Sequence, residues 1–357
     1  MTQQRRPTIV EVARAAGVSV TTVSVVLNDR PSAVRISEAT RAAVQDAATR
    51  LGYIPNQAAQ NLRRRPKVLT LLTGNLANPY FTDIAASVRS AAANEGYELN
   101  VVEAVQPESE ARALAQLRNG SSAGAIVATG RHRARGQALD ALQALVRGGL
   151  PAVIVCDSSP DPAIPAIRID DAQGACEITS HLLKLGHRAI AHFSSQAHTL
   201  ALDEASVDAD RFRGYRQALL EAGVEFEPVW LVQGEPSMPG GYAMMRELLA
   251  RPGERPTGVF CTCDVMAIGA LRALHEHGLR APDDMAVAGF DGILLGQYTI
   301  PSLTTIDQPR EQIGRLAAEM LLRLVQGQPA EPAEQILPAT LLVRESCGAT
   351  RRTTIDQ

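Results

Sequence analysis

Basic side chains crowd the start of this 357-residue chain. Residues 1–67 hold eleven Lys or Arg against four acids, a net of +7, which leaves 24 basic and 34 acidic residues beyond them, a net of −10. The modest overall charge of −3 therefore hides a cationic head on an anionic body. A cationic surface neutralises phosphate, so the head is suited to nucleic acid. Catalytic and metal chemistry is poorly represented by comparison. His187, His192 and His198 are close in sequence, yet no G-x-S-x-G elbow, phosphate-cradling Gly-rich loop or metal-ligand spacing accompanies them. They read as surface or strand-end histidines. The five cysteines are too scattered for a disulfide framework, which fits a reducing cytoplasm. Neither an enzyme nor a metal or cofactor protein is expected.

The head's groups need elements to present them. Thr8 and Glu11 stand three apart, the spacing at which a hydroxyl and a carboxylate cap a helix start reciprocally, and Ile9, Val12 and Ala13 follow on one face. Gly17 permits the positive φ that stops this helix, and Ser19 can cap a second beginning at once. Two short helices joined by such a turn form the unit that lays its second helix in a major groove. A third helix opens at Ser37 and runs to Leu51, with Gly52 as its stop. The segment from Tyr53 to Pro66 carries a helical turn or two that Asn56 can cap. So short a helix should form only against DNA or a partner chain.

From Lys67 onward, short apolar strands alternate with amphipathic helices, as in Val68–Leu72 before Phe81–Asn94 and Val259–Cys261 before Asp264–His277. That alternation implies parallel sheets covered on both faces. No G-x-G-x-x-G opens any of these helices, which argues against a dinucleotide site. In such sheets ligands sit in the loops after strands, where Asn78-Pro79-Tyr80-Phe81 offers aromatic faces in a chain only 4% aromatic. Gln308, after the strand Leu303–Ile306, could reach the same place. Asp264 reads as a helix cap. The start, MTQQRRPTIVEV, has no apolar signal region, and no stretch is long enough to cross a bilayer.

The head motif, the Tyr53-Ile54-Pro55-Asn56-x-x-Ala59-x-x-Leu62 linker and the body together resemble the lac-repressor-type (LacI/GalR) family of bacterial transcription regulators. The resemblance implies an all-α helix-turn-helix head (1–52), a hinge helix (53–66), a periplasmic-binding-protein-like body of two doubly wound parallel-sheet lobes (67–346) and a tail (347–357). It implies bases read by Val20, Thr21 and Val25, with Thr22 and Ser24 on phosphates; Thr8, Asn28, Tyr53, Asn56, Ala59 and Arg63 complete the DNA-contacting set. Leu62 would wedge into the minor groove. It also places Arg211, in an R-x-x-G pattern with Gly214, and Asp291 at an effector site with Tyr80, Phe81, Cys263 and Gln308. Cys263 stands where the family usually has Asn, and Pro236 where some relatives carry an aromatic, so the effector is not fixed by homology. A sugar or sugar derivative is favoured, with a nucleobase or small acid also compatible. The implied protein is a cytoplasmic homodimeric repressor on a pseudo-palindromic operator. The tail lacks apolar heptads, which argues against a tetramer. The three lobe crossovers are expected near Ile169-Asp170, Gly292–Tyr298 and Gln326–Gln335.

Overall fold

The computed structural model describes residues 7–27, 36–51, 53, 66–129, 136–159, 161–195 and 206–349. Asn28, Asn56, Ala59, Leu62, Arg63 and His198 lie outside them, as do most of the expected hinge and tail. The chain divides into two compact units, 1–65 and 66–357.

The first unit holds α1 (Ile9–Ala16), α2 (Val20–Leu27) and α3 (Glu38–Leu51). The Thr8 amide donates to Glu11 Oε2 at 2.6 Å and the Glu11 amide to Thr8 Oγ1 at 3.4 Å, so each side-chain oxygen satisfies the other residue's orphan amide. Gly17 ends α1 at φ 68°, in the left-handed region. Ser19 Oγ accepts from the Thr22 amide at 3.1 Å, and α2 leaves α1 at 101°. Val12, Ala13, Val23, Val26, Val44, Ala47 and Ala48 form the unit's own core, against which Ile9, Val18, Leu27 and Tyr53 pack.

The second unit has two six-stranded sheets. Lobe 1 is built from β1 (Val68–Thr73), α4 (Pro79–Asn94), β2 (Glu98–Glu103), α5 (Pro107–Leu117), β3 (Gly124–Ala128), α6 (Gln137–Arg147), β4 (Ala152–Val155) and β5 (Ala166–Ile169). Lobe 2 takes α7 (Asp171–Lys184), β6 (Ile190–Ser194), α8 (Val207–Glu221), β7 (Leu231–Gln233), α9 (Met238–Ala250), β8 (Gly258–Cys261), α10 (Asp264–Glu276), β9 (Ala286–Asp291) and β10 (Thr304–Asp307). The chain then returns to lobe 1 for α11 (Arg310–Val325) and β11 (Glu334–Leu337), and ends in lobe 2 with β12 (Thr340–Leu342). The strand orders are β11-β5-β4-β3-β1-β2 and β12-β10-β9-β8-β6-β7. Every pairing is parallel except β10 with β12. In both lobes the order reverses beside the first strand, which opens a crevice at the strands' carboxyl ends.

Three expectations change. The crossovers lie at Asp170, at Gln308-Pro309 and at Pro338-Ala339; Gly292–Tyr298 stays within lobe 2 and Gln326–Gln335 within lobe 1. Prolines, which break both helix and ladder, mark the last two crossings. His192 is no surface group. It sits in β6 with no exposure, stacked between Phe212, Tyr215 and Phe260, and neither ring nitrogen has a hydrogen-bond partner. Burial, with the Arg211 charge adding, pushes its pKa down to about 3. Cys347, expected to begin a tail, is buried, with Thr304 Oγ1 3.1 Å and His181 Nε2 3.3 Å from its sulfur.

Candidate functional site

In the head, capping chemistry decides which side of α2 is available. Val23 and Val26 are spent on the core, while Val20 is 41% exposed and Thr21 is exposed beside it. Thr22, Ser24 and Val25 are half-buried, and Thr22 Oγ1 is 2.9 Å from Ser19 Oγ. Thr8 is exposed and occupied in its capping box; Tyr53 is half-buried on the head's core.

In the second unit, the loops at the carboxyl ends of both sheets enclose a cavity of about 220 Å³. All six residues expected there line it: Tyr80, Phe81, Arg211, Cys263, Asp291 and Gln308. Among the described residues, lobe 1 supplies Gly74, Asn75, Asn78, Tyr80, Phe81, Thr129 and Cys156, all uncharged, and lobe 2 supplies the charged groups. Asn78 caps α4, with Oδ1 accepting the Tyr80 amide at 3.1 Å, and this turns Tyr80 and Phe81 toward the crevice as an edge-to-face pair 5.1 Å apart.

The Arg211–Gly214 spacing has a packing cause. A Cβ on Gly214 would run into the Ala172 carbonyl oxygen, so only glycine lets α8 press onto the first turn of α7. That approach carries Arg211 Nε to within 2.8 Å of Asp171 Oδ1, one residue past the first crossover. Its Nη1 donates to the Thr262 carbonyl and lies 3.7 Å from Asp291 Oδ1, while its guanidinium rests 3.9 Å above the Phe290 ring. The pair is buried within lobe 2 and does not bridge the lobes. Burial would lower the Arg211 pKa, but Asp171, Asp291 and Asp208 together raise it, so the cation is permanent.

Asp291 is held from both lobes. Gln308 Nε2 donates to its Oδ1 at 2.9 Å and Asn78 Nδ2, from lobe 1, to its Oδ2 at 3.2 Å. Its backbone has φ 128°, rare for a residue with a Cβ, and Cys156 across the cleft has φ 67°. Such strain is concentrated where ligands bind. Tyr80 Oη donates to Gln308 Oε1 at 2.9 Å and Asn75 Nδ2 to the Pro236 carbonyl at 3.3 Å, so three hydrogen bonds between lining residues cross the lobes, beside those that Arg310 of α11 donates to the Asp291 carbonyl and Asp307 Oδ1. Burial raises the Asp291 pKa, with Arg211 opposing and Asp264 adding.

Asp264 is not a cap; the N-cap residue of α10 is Cys263, which makes no capping bond. The Asp264 carboxylate instead accepts from Thr305 Oγ1 at 2.6 Å and the Ile293 amide at 2.8 Å, tying α10 to the chain after β9. Burial raises its pKa too. Burial also pushes the Cys156 thiol up to about 12 and Cys263 well above its usual value, so neither is an activated nucleophile. Asp171, Asp208 and Cys156 were missed from sequence, and Asn78 was placed in the lining segment without a role. The aspartates begin helices and look there like dipole partners.

Two family models match: bacterial regulatory proteins of the lacI family over residues 8–56, and a periplasmic binding protein-like domain over residues 179–347. The chain is 34% identical to the transcriptional regulator CelR of Thermobifida fusca over 97% of its own length and 100% of the relative's. It is 31% identical to the regulator DegA of Bacillus subtilis, covering 96% and 98%. A lac repressor dimer bound to operator and the anti-inducer ONPF superposes with a TM-score of 0.71 at 29% identity, covering 96% of this chain and 99% of that one. A CelR–cellobiose complex superposes at 0.69 with 31% identity, covering 96% and 100%. With a lacI-family model on its head and relatives above 30% identical along nearly its whole length, the chain belongs to the lacI family of bacterial regulatory proteins.

Proposed function

We propose that this regulator represses transcription as a cytoplasmic homodimer on a pseudo-palindromic operator, and that a carbohydrate-type effector in the crevice sets its DNA affinity. The carrying observation is the trio of interlobe bonds, Asn78 to Asp291, Tyr80 to Gln308 and Asn75 to the Pro236 carbonyl, made by the crevice's own walls. A ligand entering there must replace some of these bonds, so occupancy and lobe spacing are one equilibrium. Lobe spacing in turn biases whether two hinge segments pair on DNA. A coupling of about 1–3 kcal/mol is enough for a switch of roughly 5- to 150-fold.

A carbohydrate is favoured by the lining, where Asp291, Gln308 and Asn78 offer hydrogen-bonding groups for hydroxyls and the Tyr80 and Phe81 rings offer apolar surface for a sugar's C–H groups. The small cavity suits a monosaccharide-sized ligand. A homodimer is supported by Leu294, Leu295, Tyr298 and Ile300, which are 64%, 43%, 72% and 98% exposed in one stretch, since an apolar patch of this kind is costly unless covered. No single helix among the described residues is long and apolar enough to cross a membrane. Mobility-shift titrations on the upstream intergenic DNA, at two salt concentrations, test the reading. Specific retention that salt weakens is expected, and indifference to every duplex would overturn it.

A further inference from the structure

The crevice walls are unbalanced in charge. Among the described residues four charged groups line the cavity, all from lobe 2: Asp171, Asp208 and Asp291 against Arg211. The guanidinium is already committed, to Asp171 at 2.8 Å, to the Thr262 carbonyl and to the Phe290 face. Asp291 stands farther from it and is held by two neutral amides. Asp208, in the first turn of α8, receives the Ser195 hydroxyl and makes no ion pair among the described residues. Among the described lining residues three carboxylates thus share one guanidinium, with Arg310 behind Asp291, and a cationic ligand would let the carboxyls that burial protonates ionise.

We propose that the crevice is selective for a ligand carrying a protonated amine beside its hydroxyls, an aminated sugar, and that Asp208 is the carboxylate that receives the amine. This rests on the effector-site reading above and narrows its chemistry. The small-acid ligand left open by the sequence is disfavoured. Without such a ligand, burial drives Asp208 and Asp291 toward their protonated forms. The groups facing them are Asp171 and Arg211 from α7 and α8, Asp264 from α10, Arg310 from α11, and the neutral Tyr80, Cys156 and Cys263. An arriving ammonium displaces those protons. Affinity for an aminated sugar therefore rises with pH through the range in which these raised carboxyls ionise, while the ligand stays protonated.

The test uses the full-length protein in calorimetry and thermal-shift titrations with glucosamine, galactosamine and mannosamine, their neutral parents glucose, galactose and mannose, and glucuronate and galacturonate. At least one aminated sugar should bind about 10- to 100-fold tighter than its parent, as a charge-assisted bond in place of a neutral one allows. It should release protons on binding, and the uronates should be silent. Asp208→Asn should reduce the amine's advantage to within a few-fold of its parent. Absence of any preference for amine over parent, complete silence included, overturns the proposal, as does a uronate that binds best. A preference that survives in Asp208→Asn overturns the role of Asp208. Failure of the wild-type protein to retain operator DNA without any sugar would count against the regulator reading and leave the charge preference standing.

Discussion

Arg211 and His192 sit a few residues from one another in space and illustrate two opposite fates of a buried base. Arg211 is kept charged by carboxylates, and Arg211→Ala should abolish the effector response while leaving operator binding largely intact. An unchanged response in a binding assay would remove it from the site. Arg211→Lys should not rescue, because an ammonium cannot hold Asp171 and the Thr262 carbonyl while lying flat on Phe290. His192 is kept neutral by its aromatic cage. Its folded pKa is below the unfolded value, so the unfolded chain binds the extra proton as pH falls below about 6.5, and stability is lost at up to about 1.4 kcal/mol per pH unit. His192→Phe, which removes both unpartnered nitrogens, should flatten that acid limb; denaturant melts at pH 5 and pH 7.5 that change in parallel with wild type would contradict the assignment. The imidazole's position was not legible in the sequence. A single polar residue in a strand reads as outward-facing, and only the tertiary meeting of Phe212, Tyr215 and Phe260 reverses that.

Elements were legible where the signal is local. Thr8, Glu11, Gly17 and Ser19 specify a helix, its stop and the next start within a dozen residues, and the structure makes each of those bonds. Thr8→Ala should cost about 1 kcal/mol of head stability by removing one half of the capping box. The Arg211–Gly214 pattern could be noticed in sequence, but its cause is a close crossing of α8 on α7 that no linear pattern reports. Gly214→Ala should therefore destabilise the body by about 1–3 kcal/mol, as overpacking does, and should weaken the effector response by withdrawing Arg211 from Asp171. A variant with wild-type melting and wild-type response would show that the crossing is looser than described. The first crossover was placed correctly, and the last two were misplaced because nothing local to Pro309 or Pro338 tells a crossing from an ordinary loop. Which strand end changes lobes depends on sheet order. Asp264 was misread for a similar reason: an aspartate at a helix start usually caps, and its partners Ile293 and Thr305 are distant in sequence.

At the scale of the whole molecule, the cationic head and the anionic body were readable from composition alone, since charge needs no coordinates. What composition could not give is the link between them. The expected wedge at Leu62 has a direct test: Leu62→Ala should lose far more affinity for the specific operator than for random duplex, and equal losses would discard the wedge. Tyr298→Asp should convert a dimer to monomers in sedimentation and weaken operator binding with it, because one head reads one half-site. The central claim is that the crevice and the DNA-reading head share one equilibrium. The most direct measurement is operator affinity, by fluorescence anisotropy at fixed salt, with and without a saturating sugar that raises the protein's melting temperature, for wild type and Arg211→Ala. A change of roughly 5- to 150-fold in wild type, absent in Arg211→Ala, is predicted; an operator affinity indifferent to a ligand that demonstrably fills the crevice would contradict it.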